Sequence, residues 1–191
     1  MPPGGTQESE PFAVSVNVSA HQFRSSGFVD RIARTLVATG LDPRCLELEI
    51  TESVLLHAVD QTETVLRELK MIGVSIALDD FGTGYSSLSY LSRLPVDRIK
   101  IDRSFIQNLE TNARDRSIVR AVINLGSDLG LYVVAEGVET IEQRKILTAL
   151  GCPELQGYLF GRPSASFGVG LAADDGPLLG FDRDFPTGLS L

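Results

Sequence analysis

Cysteine, histidine and basic residues are scarce in this sequence of 191 residues, and each scarcity argues against a class of site. The two cysteines, Cys45 and Cys152, form no CxxC pair, and the two histidines, His21 and His57, are isolated. We therefore expect the reduced thiols of a cytoplasmic protein and no zinc site. The formal net charge of −8 argues against binding to DNA or RNA, which needs a basic surface. A phosphorylated small molecule stays possible, because bound cations can reverse the local field.

Long apolar runs are also missing, and no segment approaches the roughly 20 residues that a membrane span needs. Residues 1–11 are polar and rich in glycine and proline, so we expect an irregular N-terminus and no signal peptide. Residues 164–191 are rich in glycine and aspartate, and we expect a largely irregular C-terminal extension. A single folded domain is therefore predicted over residues 12–163, with an ordinary balance of 43% hydrophobic and 22% charged residues in the whole chain.

What the sequence does contain is an alternation of short β-rich runs and amphipathic stretches. The predicted strands span residues 13–19, 46–50, 74–79, 98–101, 131–135 and 155–160. The predicted helices span residues 28–39, 61–72, 114–129 and 140–150, with one further helical turn at 86–91. A helix between successive strands is typical of βαβ units, so the sequence predicts an α/β fold with a parallel sheet.

Polar side chains stand opposite the apolar face of four predicted strands. Glu47 and Glu49 alternate with aliphatic residues on one strand, and Asn17, Asp79 and Lys100 occupy the corresponding face of three others. In a βα barrel that face points inward, and the carboxyl ends of the strands carry the catalytic residues. The alternative is an antiparallel, half-solvated sheet on which these would be ordinary surface residues. The intervening helices favour the barrel.

The residue types at these strand ends indicate a site for a hard cation. Glu49, Asp79 and Asp80 supply carboxylate oxygens and Asn17 an amide oxygen, which suits Mg²⁺ or Mn²⁺ better than zinc. Lys100 beside those carboxylates would be held in its charged form.

Two further features lie at strand ends. Glu136 closes the strand at 131–135, and Glu139 begins the next helix, where it could equally serve only to favour the helix N-terminus. A tight loop after the two aspartates would suit close approach of the backbone to a metal site. It is formed by Phe81, Gly82, Thr83 and Gly84.

Six short motifs in this order resemble those of the EAL domain family. They are VNVS at 16–19, EITE at 49–52, DDFGTGYSSL at 79–88, KID at 100–102, AEGVET at 135–140 and QGY at 156–158. The resemblance implies a (β/α)8 TIM-like barrel that hydrolyses cyclic di-GMP to linear pGpG with two divalent cations, Mg²⁺ or Mn²⁺.

The same resemblance implies a role for each matching residue. The metal ligands would be Asn17, Glu49, Asp79 and Asp80. Lys100 would orient the attacking water, and Glu136 would act as a ligand or general base. Glu52 would brace the loop at residues 81–91. The surroundings of the metals and the substrate site would be completed by Glu139 and Gln156.

The sequence departs from the family pattern at its N-terminal end. It contains no Glu-Ala-Leu, and the only acidic residues before Asn17 are Glu8 and Glu10, in a segment without a strand pattern. We therefore expect an incomplete barrel of about six of the family's eight strands, truncated at its N-terminus. Such a chain is expected to self-associate or to need the missing strands, and to hydrolyse cyclic di-GMP weakly or not at all alone.

Two other functions are compatible with parts of this pattern. A non-catalytic receptor or interaction module for cyclic di-GMP would explain the missing Glu-Ala-Leu. A Schiff-base aldolase barrel would explain an inward-facing Lys100, but it gives the surrounding carboxylates no reason to converge. Metal-dependent turnover separates the phosphodiesterase from the receptor, and borohydride trapping on Lys100 would reveal the aldolase.

Overall fold

A computed structural model describes residues 13–55, 59–84 and 91–162 of the chain. The strands are β1 (Val14–Val18), β2 (Leu46–Thr51), β3 (Ser75–Phe81), β4 (Arg98–Ile101), β5 (Tyr132–Ala135) and β6 (Glu154–Leu155). The helices are α1 (Ala20–Arg24), α2 (Phe28–Thr39), α3 (Glu52–Leu55), α4 (Val59–Ile72), α5 (Arg103–Gln107), α6 (Ala113–Leu129) and α7 (Ile141–Ala149). The predicted N-terminal and C-terminal segments, His57 and most of the turn predicted at 86–91 lie outside the described residues.

The strands form one six-stranded sheet in the order β1-β2-β3-β4-β5-β6. Every neighbouring pair is parallel, and described helices lie in the connections from β1 to β2, β2 to β3, β4 to β5 and β5 to β6. The prediction of a parallel α/β sheet is therefore confirmed, and the antiparallel alternative is wrong. In a parallel sheet all strands end at one edge, so the polar residues that follow each strand are brought to the same side.

The core lies between the sheet and its helices. Ile76 and Leu78 of β3 and Leu66 of α4 are fully buried, and burial of each such side chain contributes about 1.5–3 kcal/mol relative to exposure. Helix α2 ends at Gly40, whose left-handed backbone donates its N–H to the Leu36 carbonyl. Among the described residues, no helix is both long and apolar enough to cross a bilayer.

The last strand is shorter than predicted. The sequence predicts a strand at 155–160, but β6 contains two residues, after which the chain turns toward the loop that follows β5. The turn depends on Gly157, because a Cβ atom there would lie 2.2 Å from the Val138 carbonyl oxygen. Leu159 then donates its N–H to that same oxygen over 3.0 Å. Close approach of two backbones, which the apolar pattern does not encode, ends this strand.

Three short helices were absent from the prediction: α1, α3 and α5. They contain four or five residues each, too few for a helical repeat of apolar residues to be visible. Helix α1 does carry a local signal, since Ser19 and Gln22 form a reciprocal capping box at its start.

Candidate active site

The carboxyl ends of β1, β2 and β3 bring the predicted oxygen ligands to one edge of the sheet. Asn17 pairs with Glu49 across β1 and β2, and Thr51 pairs with Asp79 across β2 and β3. Asp79 therefore lies two residues beyond the level of Glu49 toward the strand ends, with Asp80 next in sequence. The predicted grouping of these four residues at one end of the barrel agrees with this register, while their role as ligands stays a prediction.

Lys100 lies at the centre of the candidate site, between two carboxylates. Its Nζ is 2.7 Å from Glu49 Oε1 and 2.5 Å from Glu136 Oε1, and its side chain is 6% exposed. Burial lowers the pKa of Lys100, but the hydrogen bonds to Glu136 and Glu49 outweigh burial and raise it above its ordinary value. The lysine is therefore charged at neutral pH, as the sequence predicts.

Glu136 has a raised pKa, for which burial is the largest cause. The hydrogen bond from Lys100 opposes that rise, while the negative charges of Asp79 and Glu49 add to it. The pKa of Glu136 therefore depends on Asp79 and Glu49 as well as on Lys100. Glu136, Glu49 and Asp79 thus belong to one electrostatic group around the lysine.

The two aspartates that end β3 sit on an irregular piece of backbone. The pairing of β3 with β4 shifts register between Leu78 and Phe81, and Asp80 has a positive φ of 56°. A non-glycine residue in this region costs energy, and such positions are frequent at functional sites. The Asp80 N–H donates to Asp79 Oδ1 over 2.9 Å, so the distortion also fixes the Asp79 carboxylate.

Asp102 joins this group, although the sequence analysis assigned it no role. The pKa of Asp80 is raised first by burial and then by the charges of Asp79 and Asp102. Asp102 also caps α5 by accepting the Ser104 N–H over 3.0 Å. Its place directly after Lys100-Ile101 in the KID motif is the signal that could have identified it.

The glycine-rich loop after β3 contacts Glu52 at the start of α3. Glu52 is 4% exposed, and its Oε2 accepts the Gly84 N–H over 3.2 Å. A Cβ atom on Gly84 would lie 2.9 Å from the Glu52 carboxyl carbon, so glycine allows this close contact. Within the described residues Glu52 Oε1 is buried without a hydrogen-bond partner. The contact agrees with the predicted bracing role of Glu52.

The remaining residues of the loop have distinct surroundings. Phe81 is buried, and Gly82 has a φ of 99° with Phe105 packed against it. Thr83 donates its hydroxyl to the Asp80 carbonyl over 2.9 Å, which ties the loop back to the strand end.

The two remaining predicted residues lie on the loops after β5 and β6. Gln156 lines a cavity of about 110 Å³ together with Lys100 and Glu49. Its N–H donates to the Ala135 carbonyl over 2.9 Å, which fixes its backbone beside the end of β5. Glu139 is exposed, and its N–H is held by the side chain of Gln143. Gln156 is thus beside Lys100 and Glu49, whereas Glu139 is exposed and does not line this cavity.

A second ion-pair layer lies below the candidate site, toward the start of the strands. Arg98 of β4 forms ion pairs with Glu47 of β2, at 3.0 Å, and with Glu154 of β6. The Ser15 hydroxyl donates to Glu47 over 3.0 Å, and burial raises the pKa of Glu47. The sequence placed Glu47 on the inner face but did not predict its arginine partner. This layer ties four strands together beneath Lys100.

Within the part of the chain that the structure describes, no three histidine, cysteine, aspartate or glutamate side chains are arranged as a metal-binding cluster. The Lys100 ammonium stands between two of the carboxylates instead. The donor chemistry nevertheless fits a hard divalent cation, because the group is rich in carboxylate oxygens. The negative charges of Asp79 and Asp102 both raise the pKa of Asp80, and a bound cation would offset their repulsion.

Comparison with known proteins identifies the family of the chain. The family model of the EAL domain matches residues 5–163. The chain belongs to the EAL domain family. The bifunctional diguanylate cyclase/cyclic di-GMP phosphodiesterase MucR of Pseudomonas aeruginosa is 49% identical over 150 residues, which are 78% of this chain and 22% of MucR. The chain thus spans about a fifth of the length of the curated relatives it matches.

Solved structures of EAL proteins share the fold. The MucR phosphodiesterase in complex with cyclic di-GMP matches with a TM-score of 0.77 and 49% identity, over 79% of this chain and 61% of that one. The manganese and cyclic di-GMP complex of Klebsiella pneumoniae BlrP1 matches with a TM-score of 0.74 and 35% identity, over 81% of this chain and 40% of that one. The described sheet is therefore part of an EAL-type TIM barrel.

Proposed function

We propose that this EAL domain hydrolyses cyclic di-GMP to linear pGpG with the help of two divalent cations, Mg²⁺ or Mn²⁺. The observation that carries the proposal is the position of Lys100, charged and buried between Glu49 and Glu136, beside the aspartates that end β3. Two relatives support the proposal: MucR is named a cyclic di-GMP phosphodiesterase, and BlrP1 was solved in complex with manganese and cyclic di-GMP.

Four residues at the strand ends would hold the cations: Asn17, Glu49, Asp79 and Asp80. When bound, the cations would lower the pKa of a water molecule and neutralise charge on the phosphodiester. The strained Asp80 backbone keeps both β3 carboxyl groups at the sheet edge. A rigid arrangement of this kind stabilises a transition state without reorganisation during the reaction.

Lys100 would orient the attacking water, and Glu136 would accept its proton. Lys100 donates hydrogen bonds from a fixed position and can orient a water molecule as well as the two carboxylates. Glu136 has a raised pKa, which makes it a better acceptor for the proton that the water loses. The water oxygen bonds to phosphorus, one ester bond from phosphorus to ribose oxygen breaks, and the leaving oxygen takes up a proton.

Three further residues would shape the substrate site: Glu52, Gln156 and Glu139. Glu52 holds the loop at Gly84, and this loop lies directly after the two aspartates. Gln156 lies beside Lys100 and would offer its side-chain amide to the nucleotide. Glu139, which is exposed, would complete the surroundings of the substrate.

A non-catalytic receptor for cyclic di-GMP is the second candidate. It is favoured by the absence of Glu-Ala-Leu from the sequence and by the pairing of carboxylates with Lys100 rather than in a metal cluster among the described residues. The aldolase alternative is disfavoured, because a Schiff base needs a neutral amine and the pKa of Lys100 is raised.

The deciding experiment measures binding and turnover together. The chain is incubated with cyclic di-GMP and Mn²⁺, and pGpG is followed by chromatography, with EDTA and the Asp79→Asn variant as controls. Turnover that both controls abolish supports the phosphodiesterase. Calorimetric binding without any turnover, in this chain and in a form extended by strands carrying Glu-Ala-Leu, would establish the receptor instead.

A further inference from the structure

Gln143, on the first turn of α7, is a buried polar residue outside the site described above. It is 5% exposed, and its Oε1 accepts the N–H groups of Glu139 over 2.7 Å and Thr140 over 3.0 Å. Its Nε2 donates to the Ile106 carbonyl of α5 over 3.2 Å. One amide side chain therefore joins the loop after β5 to the helix after β4.

Those two segments carry the central pair of the candidate active site. Helix α5 follows Lys100 by three residues, and the loop at residues 136–140 begins with Glu136. Glu136 N–H donates to the Ile101 carbonyl over 3.2 Å, so the loop is already joined to the end of β4 at its first residue. Gln143 supplies the corresponding link at the other end of the loop.

The loop also approaches α5 in its middle. Gly137 has a φ of 70°, and a Cβ atom there would lie 2.7 Å from the Arg103 Cβ atom. On the opposite side, Val138 N–H donates to the Gln156 carbonyl over 3.0 Å. The loop is thus packed between α5 and the segment after β6, and Gln143 fixes its separation from α5.

We propose that Gln143 is a positioning residue for Glu136, which it holds against Lys100 through the loop at residues 136–140. The inference rests on the proposed function of Glu136 and adds Gln143 as the residue that determines the position of Glu136. Gln143 acts through hydrogen bonds to the loop backbone and touches neither the carboxylate nor the substrate.

The simpler explanation is that Gln143 only caps its helix, since it forms a capping box with Thr140. The chain contains a matched comparison. Gln22 forms the same box with Ser19 on α1, and in the described residues its side chain bonds only to Ser19. What distinguishes Gln143 is the bond from its Nε2 to Ile106.

The test substitution is Gln143→Glu, with Gln22→Glu as the control. Glutamate accepts the same backbone N–H groups and is a normal capping-box residue, but it cannot donate to the Ile106 carbonyl. The capping role is therefore retained, while the bond to α5 is replaced by repulsion between a carboxylate oxygen and the Ile106 carbonyl. Both variants gain one negative charge, which is buried at position 143 and exposed at position 22.

Two measurements on the 191-residue chain decide the matter. Amide hydrogen exchange at Glu136 is expected to become about tenfold faster in Gln143→Glu, relative to amides of β3, and to stay unchanged in Gln22→Glu. Mn²⁺ affinity, measured by electron paramagnetic resonance, is expected to fall about tenfold in Gln143→Glu alone, because Glu136, which the family resemblance gives as a ligand or general base, would lose its position beside the cations.

The outcomes separate this inference from the proposed function. Absence of Mn²⁺ binding both in the 191-residue chain and in the form extended by strands carrying Glu-Ala-Leu contradicts the metal-dependent function, and hydrogen exchange at Glu136 then still reports on Gln143. Unchanged exchange at Glu136 in Gln143→Glu overturns the positioning role, whatever the Mn²⁺ affinity. An equal effect of both glutamate variants would show that Gln143 is only a helix cap.

Discussion

Lys100 brings one positive charge between two acidic side chains that would otherwise repel each other. Both partners are held by separate strands, and the exposure of the Glu49 side chain is only 9%. Desolvation makes such a pair costly to form but also costly to break, because removal of one member leaves the other charge unpaired. The lysine is therefore important for stability as well as for the proposed chemistry.

The Lys100→Met variant tests the contribution of Lys100 to stability. We expect it to lower the free energy of unfolding at pH 7 by about 3–5 kcal/mol, measured by urea denaturation. The difference from wild type should shrink as the pH falls, because Glu136 takes up a proton and its repulsion of Glu49 disappears. In wild type, the raised pKa of Lys100 means that its stabilisation is present below pH 10.5 and is lost above it.

Lys145→Met is the matched control, because Lys145 pairs with Glu142 over 3.1 Å on the exposed surface of α7. Little change is expected there, since exposed pairs are screened by solvent. Equal unfolding curves for Lys100→Met and wild type would contradict the buried ion pair.

Cys152 offers a pH test of burial near β6. Burial raises the pKa of its thiol to about 11, and the thiol donates to the Glu154 carbonyl over 3.3 Å. A raised folded-state pKa means that its stabilisation is complete below pH 9 and is lost as the pH rises toward 11. Wild type should therefore lose on the order of 2 kcal/mol more than Cys152→Ala between pH 8 and 11.

The comparison uses the change with pH, so the cavity left by Cys152→Ala cancels. In the native state at pH 8, we also expect Cys152 to resist iodoacetamide until the chain is unfolded. Parallel loss of stability in both proteins, or rapid native-state alkylation, would show that the thiol is accessible.

At the residue scale, the sequence predicted the acidic residues better than their partners. Alternation along β2 and β4 was enough to place Glu49 and Lys100 on the inner face. The partnership of Arg98 with Glu47 and Glu154 was not predictable, because it joins strands far apart in sequence. Such contacts follow from strand order and register, which a single strand's pattern does not contain.

At the element scale, regular structure was predictable and its exceptions were not. Helices α2 and α6 have clear apolar periodicity and ends marked by Gly40 and Gly130, so their bounds agree with prediction to within a residue. The helices α1, α3 and α5 and the early end of β6 depend on caps and close contacts. The prediction failed there because the deciding interactions are local or involve a distant backbone.

Gly157→Ala tests the contact that ends β6. A Cβ atom at this position would lie 2.2 Å from the oxygen and 2.3 Å from the nitrogen of Val138, and backbone cannot yield as a flexible side chain can. We expect a loss of about 1–3 kcal/mol in the free energy of unfolding, measured by thermal and urea denaturation. Gly161→Ala is the control, because no atom lies within 4 Å of its added carbon. Equal stability of the two variants would mean that the loops after β5 and β6 are not in contact.

At the scale of the whole molecule, the described strands form an open sheet and not a closed barrel. The site residues predicted from the EAL resemblance lie on this sheet, but the sequence contains no Glu-Ala-Leu. We expect the 191-residue chain to hydrolyse cyclic di-GMP weakly or not at all with Mn²⁺, because loss of one carboxylate around a metal costs several kcal/mol of transition-state stabilisation. Fusion to strands that carry Glu-Ala-Leu should restore pGpG formation, measured by chromatography. Robust turnover by the unextended chain would show that another group takes that place.

The open sheet also predicts how the chain behaves in solution. In the described residues β1 pairs only with β2 and β6 only with β5, so each presents an edge with unpaired backbone groups. Val14 and Val16 of β1 are 46% and 42% exposed, which adds apolar surface to that edge. Exposed apolar strand edges recruit other strands. We therefore expect self-association or marginal stability, measured by light scattering and thermal melting at several concentrations. A monodisperse monomer that melts cooperatively above the ~45–65 °C typical of mesophilic domains would show that the edges are covered.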